Sequence, residues 1–249
     1  MQIKKFLLLS ILAAVSISAR TQFKKGDKMA GASVGSVLYN SGSAEVSFPS
    51  FNGYTSKTTS YGLRIEPTLG WFISDKTAVG VSLNINPTGE KIRYEDGGTT
   101  FQEDKSNSFN IGIGAFGRNY FSTDKDWMPF GQFGFNLGMN TMNTEGFRFF
   151  SGTPDFKNTY DGKSSGGFFA NASIQFGLTK MVSESTGLDF FAGYTFSYNK
   201  NTLKTVTSTD VDIDGDIDFT STNEPTTKFT NHGFIIGVGF QVFLKGKKK

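Results

Sequence analysis

The chain has 249 residues, a formal net charge of +3, no cysteine, 30 glycines and 27 phenylalanines. The lack of cysteine excludes disulfide bonds and a lipid-modified cysteine. The net positive charge gives no reason to expect a nucleic-acid partner. It depends on two lysines near the N-terminus and on the tail lysines Lys245, Lys247, Lys248 and Lys249.

The N-terminal segment is typical of a secretory signal peptide. Lys4 and Lys5 precede an apolar run over residues 6–17. Small residues lie at the end of this run, at Ser16, Ser18 and Ala19. A positive start, a short apolar core and a small-residue cleavage site define such signals. The run is shorter than the roughly 20 residues of a membrane-spanning helix. We therefore predict a signal peptide over residues 1–19, cleaved between 18 and 21, and a single domain over 20–249.

Eight segments alternate apolar and polar residues with a period of two, which is the period of a β-strand. In the second, Leu63, Ile65 and Leu69 share one face while Arg64 and Glu66 share the other. In chain order the segments are 28–40, 60–73, 77–87, 107–121, 128–140, 167–181, 186–199 and 228–244. This pattern predicts an all-β fold, an eight-stranded antiparallel up-and-down transmembrane β-barrel.

The connections between these segments alternate between short and long. The short ones are 74–76, 122–127 and 182–185, and the long ones are 41–59, 88–106, 141–166 and 200–227. Transmembrane barrels have short periplasmic turns and longer extracellular loops. We therefore expect both termini in the periplasm and four long polar loops outside the cell.

The polar face of the strands is the inner face. It consists mostly of glycine, serine, asparagine and threonine, whereas a water-facing exterior of a lipocalin-like barrel would carry many lysines and glutamates. The charges in the strand cores are nearly limited to Arg64, Glu66, Arg118 and Asp189, all on the polar face. We expect these four to form a polar plug of ion pairs in the lumen. The alternative is a gated ion or proton path through the same residues.

The closing segment Gly237-Val238-Gly239-Phe240-Gln241-Val242-Phe243-Leu244, together with the signal peptide and the eight alternating segments, resembles the small outer-membrane β-barrel proteins of Gram-negative bacteria, the OmpA-barrel and OmpX-like group. The lysine tail after Leu244 departs from that family's pattern. The resemblance implies a location in the cell outer membrane, recognition by the outer-membrane assembly machinery, and contact with lipopolysaccharide or with a larger outer-membrane protein complex.

The resemblance leaves the task open, because one fold serves many functions. The family includes adhesins, structural proteins, small channels and a few enzymes. We expect a structural or interaction role, with the loops contacting surface partners. A narrow ion or small-solute channel is the alternative, and a lipid-A-modifying enzyme is a third.

An acidic segment in the fourth long connection is the candidate metal site. Asp210, Asp212, Asp214, Asp216 and Asp218 alternate with other residues, and the first half resembles a D-x-D-x-D-G calcium loop. Ser221 stands where that loop places its bidentate glutamate, and Glu224 lies three residues beyond. The other interpretation is a β-hairpin in which Val211 lies opposite Phe219 and Asp212 faces Asp218. The two are compatible, since calcium would relieve the repulsion between the facing carboxylates.

The sequence carries few groups for catalysis. Its single histidine is His232. Outer-membrane lipid-A deacylases resemble this fold and use a His–Ser pair, but the sequence Asn231-His232-Gly233-Phe234 lacks the serine two residues on. We therefore predict that the chain is not an enzyme and holds no cofactor other than calcium.

Overall fold

The computed structural model describes residues 23–48, 51–123, 126–150 and 155–246. The predicted signal peptide, its cleavage site and the tail residues 247–249 lie outside these ranges. In the described part of the chain, no helix is long and apolar enough to cross a membrane.

Antiparallel strands make up nearly all of the described chain. They are β1 (Lys28–Phe48), β2 (Phe51–Phe72), β3 (Thr77–Asp96), β4 (Thr99–Tyr120), β5 (Trp127–Phe150), β6 (Phe156–Met181), β7 (Thr186–Val211), β8 (Phe219–Asn223) and β9 (Thr226–Leu244). Strands β1 to β7 pair in sequence order, and β9 pairs with both β7 and β1. The sheet is therefore a ring, and the predicted fold class is confirmed.

The nine strands form a ring of eight because β8 and β9 share one position beside β7. Strand β9 pairs with the first part of β7, and β8 pairs with residues Thr205–Thr209 of the same strand. Between them, Pro225 has no N–H to donate. The ladder is still bridged there, since the Leu203 N–H donates to the Pro225 carbonyl at 3.1 Å.

The two ends of the ring differ. We call the terminal end the one that holds Lys28, Leu244 and the turns that follow β2, β4 and β6, and we call the opposite end the distal end. The β1–β9 seam is paired at the terminal end, from Lys28↔Leu244 to Val34↔Val238. Beyond Val34, β1 continues to pair with β2 and β9 with β7.

The pairing register places the polar face inside all around the ring. Thr179 pairs with Asp189, Asp189 with Gly239, Gly239 with Ser33, and Ser33 with Glu66. The opposite face is exposed and apolar, as the alternation predicts. Its exposed side chains include Val79, Val81, Ile111, Ile113, Phe133, Phe135, Ile174, Phe176, Phe190, Phe196, Ile236 and Val238.

Glycines on the inner face make room for large neighbours. A Cβ atom on Gly237 would collide with the Phe191 ring and the Val34 carbonyl, and one on Gly114 would collide with the Asn136 side chain. The interior of an eight-stranded barrel is just wide enough to be filled by side chains. Small residues must therefore alternate with large ones around the lumen.

The long polar connections differ from the prediction. Most of 41–59, 88–106, 141–166 and 200–227 is strand, so the sheet extends far past the apolar segments. The β3–β4 hairpin turns at Gly97 and Gly98, which both have positive φ as a tight two-residue turn requires. The segments lack apolar alternation but pair through their backbones and through charged pairs such as Lys57–Glu95. The tips at 49–50 and 151–154 lie outside the described residues.

Candidate functional site

The first candidate site is an ion pair that crosses the lumen between two strands that are not neighbours. Arg118 on β4 donates from Nη1 to Asp189 Oδ2 on β7 at 2.7 Å. Thr179 Oγ1 donates to Asp189 Oδ1 at 2.6 Å, and Gln241 Nε2 donates to Oδ2 at 3.1 Å. The Asp189 carboxylate is only 1% exposed, and these three donors satisfy both of its oxygens.

The Arg118 side of the bridge is equally enclosed. Its Nε donates to Gln132 Oε1 at 2.7 Å, and its Nη1 also donates to the Tyr120 hydroxyl at 3.2 Å. The guanidinium lies over the Phe130 ring, 4.0 Å from its centroid. This arrangement combines an ion pair with a cation–π contact.

The other two predicted plug residues form a second pair. Arg64 Nη2 donates to Glu66 Oε2 at 3.1 Å, and both residues are buried on β2. The four residues therefore form two ion pairs, one within β2 and one between the non-adjacent strands β4 and β7. Sequence reasoning missed Gln132, Thr179 and Gln241, although all three follow the inward period of their strands.

An aromatic cluster closes the terminal end of the lumen. The Phe23 ring, from the segment before β1, lies 4.5 Å from Phe72, 5.1 Å from Tyr120 and 4.6 Å from Phe243, centroid to centroid. These rings pack with buried Met29, Met128 and Met181. Phe23 gave no sequence signal, because it precedes the first alternating segment.

At the distal end, the interior holds a cavity of about 290 Å³. Glu90, Asp104, Thr144 and Tyr160 are among its lining residues. The Tyr160 hydroxyl donates to Asp104 Oδ1, while Gln102 Nε2 donates to Asp104 Oδ2 at 2.8 Å. Burial and the neighbouring Asp104 carboxylate raise the pKa of Tyr160 above its ordinary value, so the phenol stays protonated and continues to donate.

We call the strand residues within 41–59, 88–106, 141–166 and 200–227 the distal extension. A band of ion pairs lies on its outer face, across β2 to β5. Glu103 accepts from Lys91 Nζ at 2.9 Å and from Arg93 Nε at 2.6 Å. Beside it, Lys105 pairs with Glu145 at 2.9 Å and with Glu103 at 3.4 Å. Sequence reasoning missed this band, because its residues lie in segments predicted as loops.

The charges of the band fix the ionisation of Glu103. Burial acts to raise the pKa of this carboxyl, but the hydrogen bonds and charges of Lys91 and Arg93 outweigh burial and lower the pKa to about 2. Glu103 is thus anionic at any physiological pH.

The acidic hairpin adopts a different register from the predicted one. Thr209, rather than Val211, pairs with Phe219, so the next step of the ladder places Asp210 opposite Asp218. The connection runs from Asp212 to Asp218, and Asp212 and Ile213 both have positive φ. A wider turn with two strained residues replaces the expected tight tip, and this shifts the pairing by two residues.

Three of the five predicted metal-site aspartates converge. One carboxylate oxygen each from Asp210, Asp212 and Asp218 lies within 4.8 Å of the others. Asp214 and Asp216 are not part of this group; the Asp214 carboxylate instead accepts from the Asp216 N–H at 2.9 Å. The carboxylate cluster therefore differs from a D-x-D-x-D-G loop, since Asp218 takes the place expected for Asp214.

His232 lies on the outer face, where its Nδ1 is 2.6 Å from the Tyr194 hydroxyl. The hydrogen-bond partner of His232 is thus the Tyr194 phenol and not a serine hydroxyl. The geometry around His232 is that of a hydrogen-bonded aromatic pair, with Phe234 packed edge-on against Tyr194.

Solved outer-membrane barrels are similar in fold. The outer membrane protein OprG from Pseudomonas aeruginosa is 14% identical, with a TM-score of 0.40 over 92% of this chain and 100% of that one. Neisserial surface protein A is 14% identical (TM-score 0.30, 88% and 97% covered), and the outer membrane protease OmpT from Escherichia coli is 10% identical (TM-score 0.32, 89% and 98% covered). No protein-family model and no curated protein matches the chain. These similarities assign no site residue to this chain.

Replacing Arg118 with alanine should destabilise the barrel by about 3–5 kcal/mol, because it leaves the buried Asp189 carboxylate without its counter-ion. Urea unfolding in detergent micelles, followed by the fluorescence of Trp71 and Trp127, measures this change. The double variant R118A/D189N should recover part of the loss, since it removes the unpaired charge.

The matched control is R148A. Arg148 is exposed and lies over the Phe150 ring at 4.7 Å, so its loss should cost less than about 1 kcal/mol. Equal unfolding midpoints for R118A and R148A would show that the Arg118–Asp189 bridge does not stabilise the barrel.

The low pKa of Glu103 predicts a specific pH dependence. Because its folded pKa lies below the ordinary 4.5, the band should be fully stabilising above pH 4.5 and should weaken as the pH falls towards 2. An NMR titration of a ¹³C-labelled Glu103 carboxyl should show a midpoint near 2. In R93Q the midpoint should move towards 4.5; a wild-type midpoint at or above 4.5 would contradict the ion-pair geometry.

Proposed function

We propose that this chain is an integral protein of the Gram-negative outer membrane. In this proposal it is a barrel closed to solute that acts as a structural scaffold, and its distal extension contacts surface partners. The observation that carries the proposal is the filling of the lumen from its terminal end to the level of the ion pair, where the aromatic cluster around Phe23 and the Arg118–Asp189 bridge occupy the interior. A filled lumen leaves the outer surface and the distal end to perform the function.

The exposed apolar face supports the membrane location. Phe234 is 91% exposed and Ile236 is 78% exposed, and similar side chains continue around the ring. Soluble monomers rarely expose apolar patches beyond a few hundred Å². In a membrane barrel the same surface is the lipid-facing belt, about 25 Å tall and flanked by aromatic residues.

The difference between the two ends supports the orientation. In outer-membrane barrels the short turns face the periplasm and the longer connections face outward. By this rule, the proposed orientation has the termini in the periplasm and the distal extension outside the cell. The assembly machinery would then recognise the closing strand β9 at the periplasmic end.

The ion-pair band supports a contact with lipid headgroups. On β2 and β4, Lys57 and Lys105 each lie four residues distal to an outward aromatic, Tyr61 and Phe109 respectively. Basic side chains at that height face the headgroup layer, where lysine and arginine suit phosphate groups. Lipopolysaccharide is therefore the proposed lipid partner. Proteins of a larger outer-membrane complex are the proposed partners of the distal extension.

The channel alternative makes an opposite prediction in planar bilayers. Because the lumen is filled, we expect the purified protein to show no steady conductance in concentrated potassium chloride. A porin measured in the same bilayer serves as the control for insertion and detection. A steady conductance that changes in R118A would overturn the scaffold proposal and favour a path through the plug.

The contact role predicts that cross-linking depends on height along β3. A photo-reactive amino acid at Arg93, in the ion-pair band, should cross-link to lipopolysaccharide or protein in native outer membranes. The same group at Val81, in the apolar belt of the same strand, should yield no such adducts. Identical adduct patterns at the two positions, or no adduct at Arg93, would contradict the contact role.

A further inference from the structure

We propose that Asp210, Asp212 and Asp218 bind one calcium ion at the tip of the β7–β8 hairpin. Oxygens bound to the same calcium ion lie at most about 5 Å apart, because each calcium–oxygen distance is about 2.3–2.6 Å. The three carboxylates meet this limit, with one oxygen of each within 4.8 Å of the others. The proposal does not depend on the scaffold role or on the membrane orientation.

A second observation concerns Asp210 itself. Its side chain is 94% buried, and its Oδ2 accepts from the Gly215 N–H at 3.2 Å. Its Oδ1 is buried and has no hydrogen-bond partner among the described residues. A buried carboxylate oxygen without a partner is costly, so such an atom calls for a ligand. A cation between Asp210 and its two neighbours would supply that partner.

No basic side chain occupies this place in the described part of the chain. Lys157 on β6 is the register partner of Asp210. Its Nζ instead lies over the rings of Phe149 and Phe147, at 5.3 and 5.7 Å, and it forms no ion pair with Asp210 there. The carboxylates therefore face one another without a bridging ammonium.

The electrostatics of Asp212 agree with this geometry. Desolvation and the charges of Asp214 and Asp218 raise the pKa of its carboxyl above the ordinary value. The like charges thus add to desolvation in disfavouring the charged form of Asp212. A divalent cation would give all three carboxylates a common counter-ion.

The backbone holds the three aspartates in position. The Val211 N–H donates to Asp218 Oδ2 at 2.7 Å, and the Asp218 N–H donates to the Thr209 carbonyl at 3.0 Å. The Asp212 N–H donates to the carbonyl of Asp155, beside β6, at 2.9 Å. The turn is thus tied to both β7 and the neighbouring hairpin, so the ion would bind to a largely preformed arrangement.

The donor set selects calcium. Carboxylate oxygens suit hard cations, and no cysteine is present in the chain. Magnesium requires a tight octahedron at 2.0–2.1 Å, whereas calcium accepts six to eight oxygens in irregular geometry. Three carboxylates from one turn leave the remaining positions to water. An exposed site of this kind fits the affinity range of extracellular calcium modules, about 10⁻⁴–10⁻³ M.

The test is isothermal titration of the whole purified protein in detergent micelles, free of lipopolysaccharide and stripped with EDTA, with calcium chloride at pH 7. We expect one site in the wild type. D210N and D218N should each weaken binding at least tenfold, since each removes one converging carboxylate. D216N is the matched control, because it removes one charge from the same turn without touching the cluster, and it should bind as the wild type does.

Folding of each variant is checked by its heat-dependent migration on a denaturing gel. Absence of binding in the folded wild type would overturn the proposal. Equal loss in D210N and D216N would also overturn it, because binding would then follow the total charge of the hairpin rather than the convergence of three carboxylates. A tighter response to magnesium than to calcium would overturn the choice of ion.

Discussion

The pairing of β9 with β1 is the interaction on which the rest of the molecule depends. An open sheet leaves a row of unpaired N–H and C=O groups at each edge, and such groups are costly in lipid. The seam closes from Lys28↔Leu244 to Val34↔Val238, over a shorter stretch than the neighbouring β1–β2 and β7–β9 pairings. It also brings Phe243 from the last strand next to Phe23 from the segment before the first. The pairing that closes the ring therefore also brings together the aromatic side chains that fill its terminal end.

Closure at eight strands sets the radius, and the radius sets the contents of the lumen. A narrow ring cannot hold bulk water around a charge, so an inward arginine needs a carboxylate partner inside the lumen. Arg118 and Asp189 satisfy this requirement from β4 and β7, with Thr179 and Gln241 completing the carboxylate's hydrogen bonds. The same network occupies the lumen, and this is why the proposed function uses the outer surface and the distal end.

The alternation of apolar and polar residues predicts the strands and their two faces. Period-two segments such as 60–73 and 186–199 identify the strands, their inner and outer faces and the inward direction of Arg118 and Asp189. The alternation ends where the outward residues change from apolar to polar. The polar halves of β3 and β4 are therefore predicted as loops, although their backbones stay paired. Alternation also does not predict which inward side chains pair with one another. That pairing depends on which positions of distant strands lie at the same level of the lumen.

The register of the acidic hairpin shows why the local sequence pattern predicts the wrong grouping of aspartates. A tight tip at Asp214-Gly215-Asp216 would pair Asp212 with Asp218. The observed turn is wider, has positive φ at Asp212, Ile213 and Gly215, and brings Asp210 level with Asp218. The consequence is electrostatic. In the ion-pair band, each of Glu95, Glu103 and Glu145 has a lysine or arginine against it. The hairpin instead gathers the carboxylates of Asp210, Asp212 and Asp218, and one oxygen of the buried Asp210 has no hydrogen-bond partner among the described residues. The carboxylates of the band thus have counter-ions within the protein, whereas Asp210 Oδ1 has no hydrogen-bond partner among the described residues, and this difference is why the cation is proposed at the hairpin.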